Sequence, residues 1–253
     1  MTGRTLCWFS DGIASAIATK FWLQEHPDAL VVRCDTGSED EDNERFCNEC
    51  AAWFKRDIIT LKNPDFTDTY SVWAKRRYIS GIAGAPCTME LKVSPRLAFQ
   101  LPDDVHVFGY TFDGNDRKRF AAMGTNYPEM VIQAPLIDRQ ITKANCLAMM
   151  QDTGIKEPRS YAMGFPNANC LQSGCAKASS PRYWSLYRQT FPDRFAKTAA
   201  VSREIGCRML ELDGERRFLD ELPESYPTLN PVAPTCDFLC HINGQDLRGQ
   251  HHA

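Results

Sequence analysis

The chain has 253 residues, 43% of them hydrophobic, which is enough for a full-sized core in one domain or one domain with a short appendage. Its 29 Lys and Arg stand against 32 Asp and Glu, a formal charge of -3, so no whole-molecule basic field advertises nucleic acid. No apolar run is long enough to span a bilayer, and the opening MTGRTLCWFSDG lacks the order of a signal peptide, so a cytoplasmic protein with no membrane partner is expected.

In chain order, Thr5 to Phe9 reads as a first strand, followed by the tight turn Ser10-Asp11-Gly12 and a helix burying Ile13, Ala14, Ile17, Ala18 and Phe21. Ala29 to Arg33 reads as a second strand ending at Asp35-Thr36-Gly37, Ile58 to Leu61 as a third, Val105 to Tyr110 as a fourth and Met130 to Ala134 as a fifth. A glycine- and proline-marked loop, Gly81 to Pro86, precedes a short helix near Lys92 to Phe99. Strands separated by helical segments imply crossovers and an α/β fold, a mostly parallel five-stranded sheet flanked by helices. After Gln140 the pattern turns helical and loop-rich, with a long tract from Tyr183 to Cys207 and a candidate hairpin over Leu210 to Leu219 around Asp213-Gly214. The expected organisation is a core over 1–140 and a helical, cysteine-bearing extension over 141–253 packed on it.

The chain carries eleven cysteines, too many in a reducing compartment for a disulphide scaffold. Cys7 and Cys34 sit in apolar strands and Cys146 in an amphipathic segment. Cys47 and Cys50 mimic a C-x2-C motif, but with Phe46, Ala51 and Phe54 they fall at helical spacing and are expected in the core. Cys207, at a helix end, is also expected to pack. Cys87, Cys170, Cys175, Cys236 and Cys240 lie beside turn formers, where thiolates suit an iron–sulphur cluster or tetrahedral zinc; spacing alone does not separate the two.

Ligands of an open parallel sheet bind at the carboxyl ends of its strands, and three polar turns emerge there: Ser10 to Ser15, Asp35 to Gly37 and Gly109 to Arg119. Ser10 and Ser15 flank a helix N-terminus, whose free N–H groups attract phosphate or sulphate, while Gly12 permits a backbone conformation costly for other residues. A simple helix cap by Ser10 or Asp11 explains the same pattern. Lys92, Arg117 and Arg119 are candidate anion contacts. Lys177, Arg182 and Arg188 interleave with Tyr183, Trp184 and Tyr187 as either a polynucleotide surface or an inward-packed helix.

The segment FSDGIASAIA resembles the phosphate loop of the adenine nucleotide alpha-hydrolase (PP-loop ATP pyrophosphatase) superfamily, which includes phosphoadenosine-phosphosulphate reductases. The likeness extends to Asp35-Thr36-Gly37 with Asp42 to Phe46, to Ala85-Pro86-Cys87 through Lys92, to Phe108-Gly109-Tyr110 with Asp116, Arg117 and Arg119, and to Asn169 through Cys175. It covers roughly residues 4 to 220 and points to the iron–sulphur-containing, phosphoadenosine-phosphosulphate reductase-like branch. The resemblance implies ATP or another adenine nucleotide, with room for Mg²⁺, held by Ser10, Asp11, Gly12, Ser15, Asp35, Thr36, Gly37, Lys92, Gly109, Arg117 and Arg119. It further implies a [4Fe–4S] cluster on Cys87, Cys170 and Cys175. Pro86 replaces one member of the family's first cysteine pair, so Cys236 or Cys240 makes up the shell, or the cluster keeps three cysteines and an open iron. Asp11 and Ala14 depart from the usual loop, which favours nucleotide binding over ATP cleavage.

The expected function is ATP-dependent sulphur transfer to a nucleobase or nucleic acid, served by a redox or sulphur-donor protein, with Cys236 or Cys240 as the reactive thiol. The alternatives are a sulphonucleotide reductase, whose usual C-terminal glutamate-cysteine-glycine is missing here, and a non-enzymatic nucleotide-responsive iron–sulphur subunit.

Overall fold

A computed structural model describes residues 3–168 and 170–235. Five short apolar runs form the central sheet: β1 (Thr5–Trp8), β2 (Leu30–Cys34), β3 (Ile58–Leu61), β4 (Val105–Phe108) and β5 (Val131–Gln133). Their order is β3-β2-β1-β4-β5 and every pairing is parallel, with Cys7 opposite both Val31 and Val107. The inner strands are covered on both faces, which is why they read as near-continuous apolar runs. The chain steps outward from β1 to β3, crosses back, and steps outward again from β4 to β5. The reversal leaves a crevice between β1 and β4 at their carboxyl ends.

Against one face lie α1 (Ile13–Glu25), α2 (Asp42–Phe54), α7 (Pro135–Asp138) and α8 (Lys143–Gln151). Cys7, Phe9, Val31 and Val107 of the sheet join Ile17, Phe21, Phe46, Phe54, Leu136 and Met149 in one apolar cluster. Cys47 and Cys50 are buried within it, and burial pushes the Cys47 thiol up to about 12, so these are packing residues. On the opposite face Trp8, His106 and Phe108 stack in a row, with Trp8 and His106 ring centroids 6.0 Å apart. Trp8 Nε1 donates to His106 Nδ1 at 3.0 Å, and burial lowers the His106 pKa to about 4, which keeps the imidazole neutral and able to accept.

The crossover back to β4 carries α3 (Thr69–Arg76), α4 (Pro86–Thr88), a π-helical turn at Met89–Val93 and α5 (Ser94–Phe99). Pro95 has no N–H to give to Leu91, and the helix meets this by widening just ahead of it, with Ser94 N bonding to Met89 O. Beyond β4 come α6 (Gly114–Asn126) and, after α8, α9 (Arg159–Ala162), α10 (Pro181–Thr190) and α11 (Pro192–Ile205). A second apolar cluster gathers Trp73, Phe165, Leu171, Trp184, Tyr187 and Phe195 with the hairpin β6 (Leu210–Leu212) and β7 (Glu215–Arg217). Its turn is Asp213-Gly214, with φ of 53° and 79°, as the Asp-Gly pair requires.

Trp184 and Tyr187 are buried in this cluster with Tyr183 packed against it, while Arg182 and Arg188 bond to backbone carbonyls of residues 222–228. The α10 aromatics therefore form core and not a polynucleotide surface. Among the described residues no helix is long and apolar enough to cross a membrane.

Candidate functional site

The turn after β1 is folded by its own serines. Ser10 N donates to Ser15 Oγ at 3.0 Å, and Ser15 Oγ in turn donates to Gly12 O at 2.8 Å. The left-handed residue is Asp11, φ 54°, whereas Gly12 at φ −113° is extended backbone open to any residue, which corrects the expectation placed on Gly12. Neither Ser10 nor Asp11 caps α1: its N-cap is Gly12, with no side-chain cap. Ile13 N donates to Tyr161 Oη at 3.3 Å, and the other N–H groups of the first turn have no preceding helical turn to bond.

Asp11 turns inward. Its carboxylate lies 3.4 Å from Arg33 Nη1, and Arg33 also donates to Glu44 at 2.6 Å and to Thr60 Oγ1 at 2.9 Å. Burial raises the Asp11 pKa to about 7; Arg33 offsets part of this and Glu39 adds to it. The carboxylate is thus paired with Arg33 and does not cap α1. Close approach is demanded of Gly109 instead: a Cβ there would stand 2.5 Å from Ser15 Cα, so only glycine lets α1 start against the end of β4.

A cleft of about 870 Å³ opens at the crevice between β1 and β4. Its lining combines polar groups, among them Ser10, Ser15, Lys92, Arg119, Lys143 and Lys177, with the rings of Trp8, Phe108, Tyr110 and Tyr127 and the guanidinium of Arg96; Arg119 lies over the Tyr110 ring at 5.4 Å. Lys92 stands in the π-helical turn. Burial works against its ammonium, but Cys170, Glu39, Cys175 and Cys34 outweigh that and leave its pKa above the ordinary lysine value. The Cys170 thiol, 3.8 Å from Thr36 Oγ1, is pushed by burial up to about 11 despite Lys92, and the Cys34 thiol likewise to about 11.

The loop bearing Cys170 and Cys175 is pinned from several sides. Gln172 N bonds to Ser38 O at 3.0 Å, Tyr183 Oη takes the Cys175 N–H at 3.0 Å, and Thr198 Oγ1 donates to Ser173 O at 2.9 Å. Gly174, φ 71°, has no room for a Cβ, which would meet the Trp184 ring at 2.6 Å. Cys175 is an electrostatic neighbour of both Cys170 and Cys87. Among the described residues no three His, Cys, Asp or Glu are grouped to hold a metal ion.

The chain is similar to the crystal structure of a phosphoadenylyl-sulfate reductase from Candida auris in its phosphate complex, at 11% identity and a TM-score of 0.48. The match spans 64% of this chain and 78% of that one. No protein-family model matches the chain. No curated protein matches it either.

Of the residues singled out from sequence, Ser10, Asp11, Gly12, Ser15, Lys92, Gly109 and Arg119 line the cleft. Asp35, Thr36 and Gly37 do not. Asp35 is engaged by Lys62 at 2.6 Å and Gly37 N at 2.8 Å, Thr36 Oγ1 donates to Glu39 at 2.6 Å, and Gly37 sits tightly against Thr67 O. Arg117 also stands outside, laid over the Phe112 ring at 4.6 Å. Cys236 and Cys240 fall outside the described residues.

Sequence reading missed Arg96, Lys143, Glu39 and Tyr127. Arg96 reads as one charge on a short helix, and only tertiary packing reveals that it is buried. A second cavity of about 860 Å³ adjoins the first: Lys177 lines both, and Ile82, Arg208, Arg216 and Phe218 continue it, with no carboxylate in its wall among the described residues.

Proposed function

We propose that the protein is an adenine-nucleotide-dependent enzyme that transfers sulphur to a nucleobase or nucleic acid. The observation that carries the reading is the position of Lys92: it lines the cleft that the first turn of α1 opens into, and its other neighbours are Cys34, Cys170 and Cys175. A nucleotide's phosphates suit the free N–H groups of that turn and the Lys92 ammonium. The cleft lies toward the upper end of the volumes of small-molecule sites, and the rings in its lining suit a second, planar reactant.

In this reading ATP adenylylates a carbonyl oxygen of the acceptor and pyrophosphate leaves. A cysteine persulphide, charged by a sulphur-donor partner, then attacks the activated carbon, and AMP departs with the oxygen. A second thiol breaks the S–S bond, leaving sulphur on the acceptor and a disulphide that a redox partner reduces. Lys92 and Arg119 hold the charge that collects on the departing phosphates. Mg²⁺ would arrive on those phosphates, since Asp11 is engaged by Arg33 and Glu39 by Thr36. The persulphide carrier is Cys236 or Cys240, or a thiol of the Cys170–Cys175 loop.

Two assays test the reading. Incubation with ATP and RNA, DNA or nucleoside acceptors should yield AMP and pyrophosphate, and deletion of residues 236–253 should abolish it. Sulphite release from a sulphated adenosine nucleotide, without ATP cleavage, would replace transferase by reductase. Anaerobic preparations, analysed for iron and acid-labile sulphide, should lose both on Cys170→Ala but not on Cys47→Ala; stoichiometric zinc in their place removes the cluster from the proposal.

A further inference from the structure

We propose that the aromatic lining of the cleft around Arg96 selects a 6-oxopurine ring, a guanine or hypoxanthine, and reads it through that arginine. The inference deepens the sulphur-transfer reading by naming the acceptor, and rests on that reading only for what happens to the ring once bound.

Arg96 is 6% exposed, yet among the described residues it enters no ion pair, and its Nε and Nη2 meet no hydrogen-bond acceptor. The comparably buried Arg33 has Asp11, Glu44 and Thr60. A buried guanidinium with no acceptor is costly, and its own helix does not relieve it: Gln100, one turn on, keeps an equally unpartnered Oε1. Nε and Nη2 share one edge of the guanidinium, the edge that makes side-on bidentate contacts. The Tyr127 ring lies 4.7 Å from the guanidinium carbon, and Arg96 lines the cleft beside Trp8 and Phe108.

A two-pronged donor among ring faces calls for a flat ligand with two adjacent acceptors on one edge. Guanine and hypoxanthine present O6 and N7 in that arrangement. Adenine sets an N6 donor beside N7 and meets one prong with a like group. Phosphate also fits a guanidinium fork, but Trp8, Phe108 and Tyr127, which line the cleft with Arg96, are suited to stacking a flat ring.

The test is calorimetric titration of the full chain with guanosine, inosine and adenosine, alone and in the presence of a non-hydrolysable ATP analogue. Guanosine and inosine should bind at least roughly tenfold tighter than adenosine, the discrimination expected of one bidentate contact. Arg96→Lys, which keeps the charge but loses the fork, and Arg96→Met should both bring the three nucleosides within about twofold while leaving the analogue's affinity unchanged. Arg96→Met should also melt higher than the parent, because it removes a buried charge that lacks a partner; a merely structural arginine would make it melt lower. Equal or adenosine-favoured binding by the parent, or a preference that survives in both variants, would overturn the proposal. Failure of the analogue to bind, with guanosine selection intact, sinks the nucleotide reading and leaves this one standing.

Discussion

Replacing Gly109 by alanine puts the architecture of the turn after β1 to its hardest test. The added Cβ would lie 2.5 Å from Ser15 Cα, 2.7 Å from Ser15 N and 3.0 Å from Ala14 C. All three are backbone atoms, so no side chain can rotate away, and the shortest contact is nearly an ångström inside ordinary van der Waals distance. Either α1 retreats from β4 or β4 bends. Overpacking of this kind costs about 1–3 kcal/mol. The displaced atoms belong to the N–H groups expected to meet phosphate, so a similar loss in binding corresponds to roughly a 5- to 150-fold weaker ATP affinity. Gly12→Ala is the control: its Cβ meets nothing closer than Tyr161 Oη at 3.4 Å, and its φ of −113° suits alanine. Urea denaturation and ATP calorimetry on both variants decide the matter. An unaffected Gly109→Ala beside a crippled Gly12→Ala would refute the account of how this loop is built.

Stability against pH should reveal two buried groups working in opposite directions. Asp11, raised to about 7, contributes stability that is full below its unfolded value of about 4 and is lost as pH rises through 7. His106, lowered to about 4, contributes stability that is full above about 6.5 and is lost as pH falls through 4. Asp11→Asn should therefore uncover a stability that climbs with pH between about 4 and 6.5, read from urea midpoints; an unchanged profile would show that Asp11 titrates normally. Gly174→Ala should cost about 2–3 kcal/mol in thermal melts, since it combines a positive φ with a clash against Trp184, and an unaltered melt would mean the cysteine loop is not pinned as described.

Five strands were legible because buried parallel strands have little choice of composition. The expected ends fall within a residue or two of those observed, with Val105–Phe108 for the expected Val105–Tyr110 the widest gap. The Asp213-Gly214 hairpin was legible for a local reason, the positive φ its turn demands. The left-handed residue of the turn after β1 was not. Sequence favours Gly12 for the left-handed position, but Asp11 takes it, helped by a carboxylate that finds Arg33 across the sheet. Asp35-Thr36-Gly37 looked like a ligand contact because it ends a strand, yet Lys62, Glu39 and Thr67 use up its polar groups and its space. Arg96 and Arg117 are both arginines on short amphipathic stretches; one is sealed in the cleft wall and the other lies on the outside, a difference that belongs to the packing of α5 and α6 and leaves no local mark.

Lys177 has one ammonium and faces two chambers. It is exposed and forms no ion pair among the described residues, so whichever anion arrives first draws the charge to its own side. The neighbouring chamber keeps Arg208 and Arg216, the latter already shared with Glu211 at 3.4 Å. Were anions to occupy both sides they would compete for Lys177, and thermodynamic linkage would make the competition symmetrical: the factor by which an anion in one chamber weakened binding in the other would be the factor by which the second loosened the first.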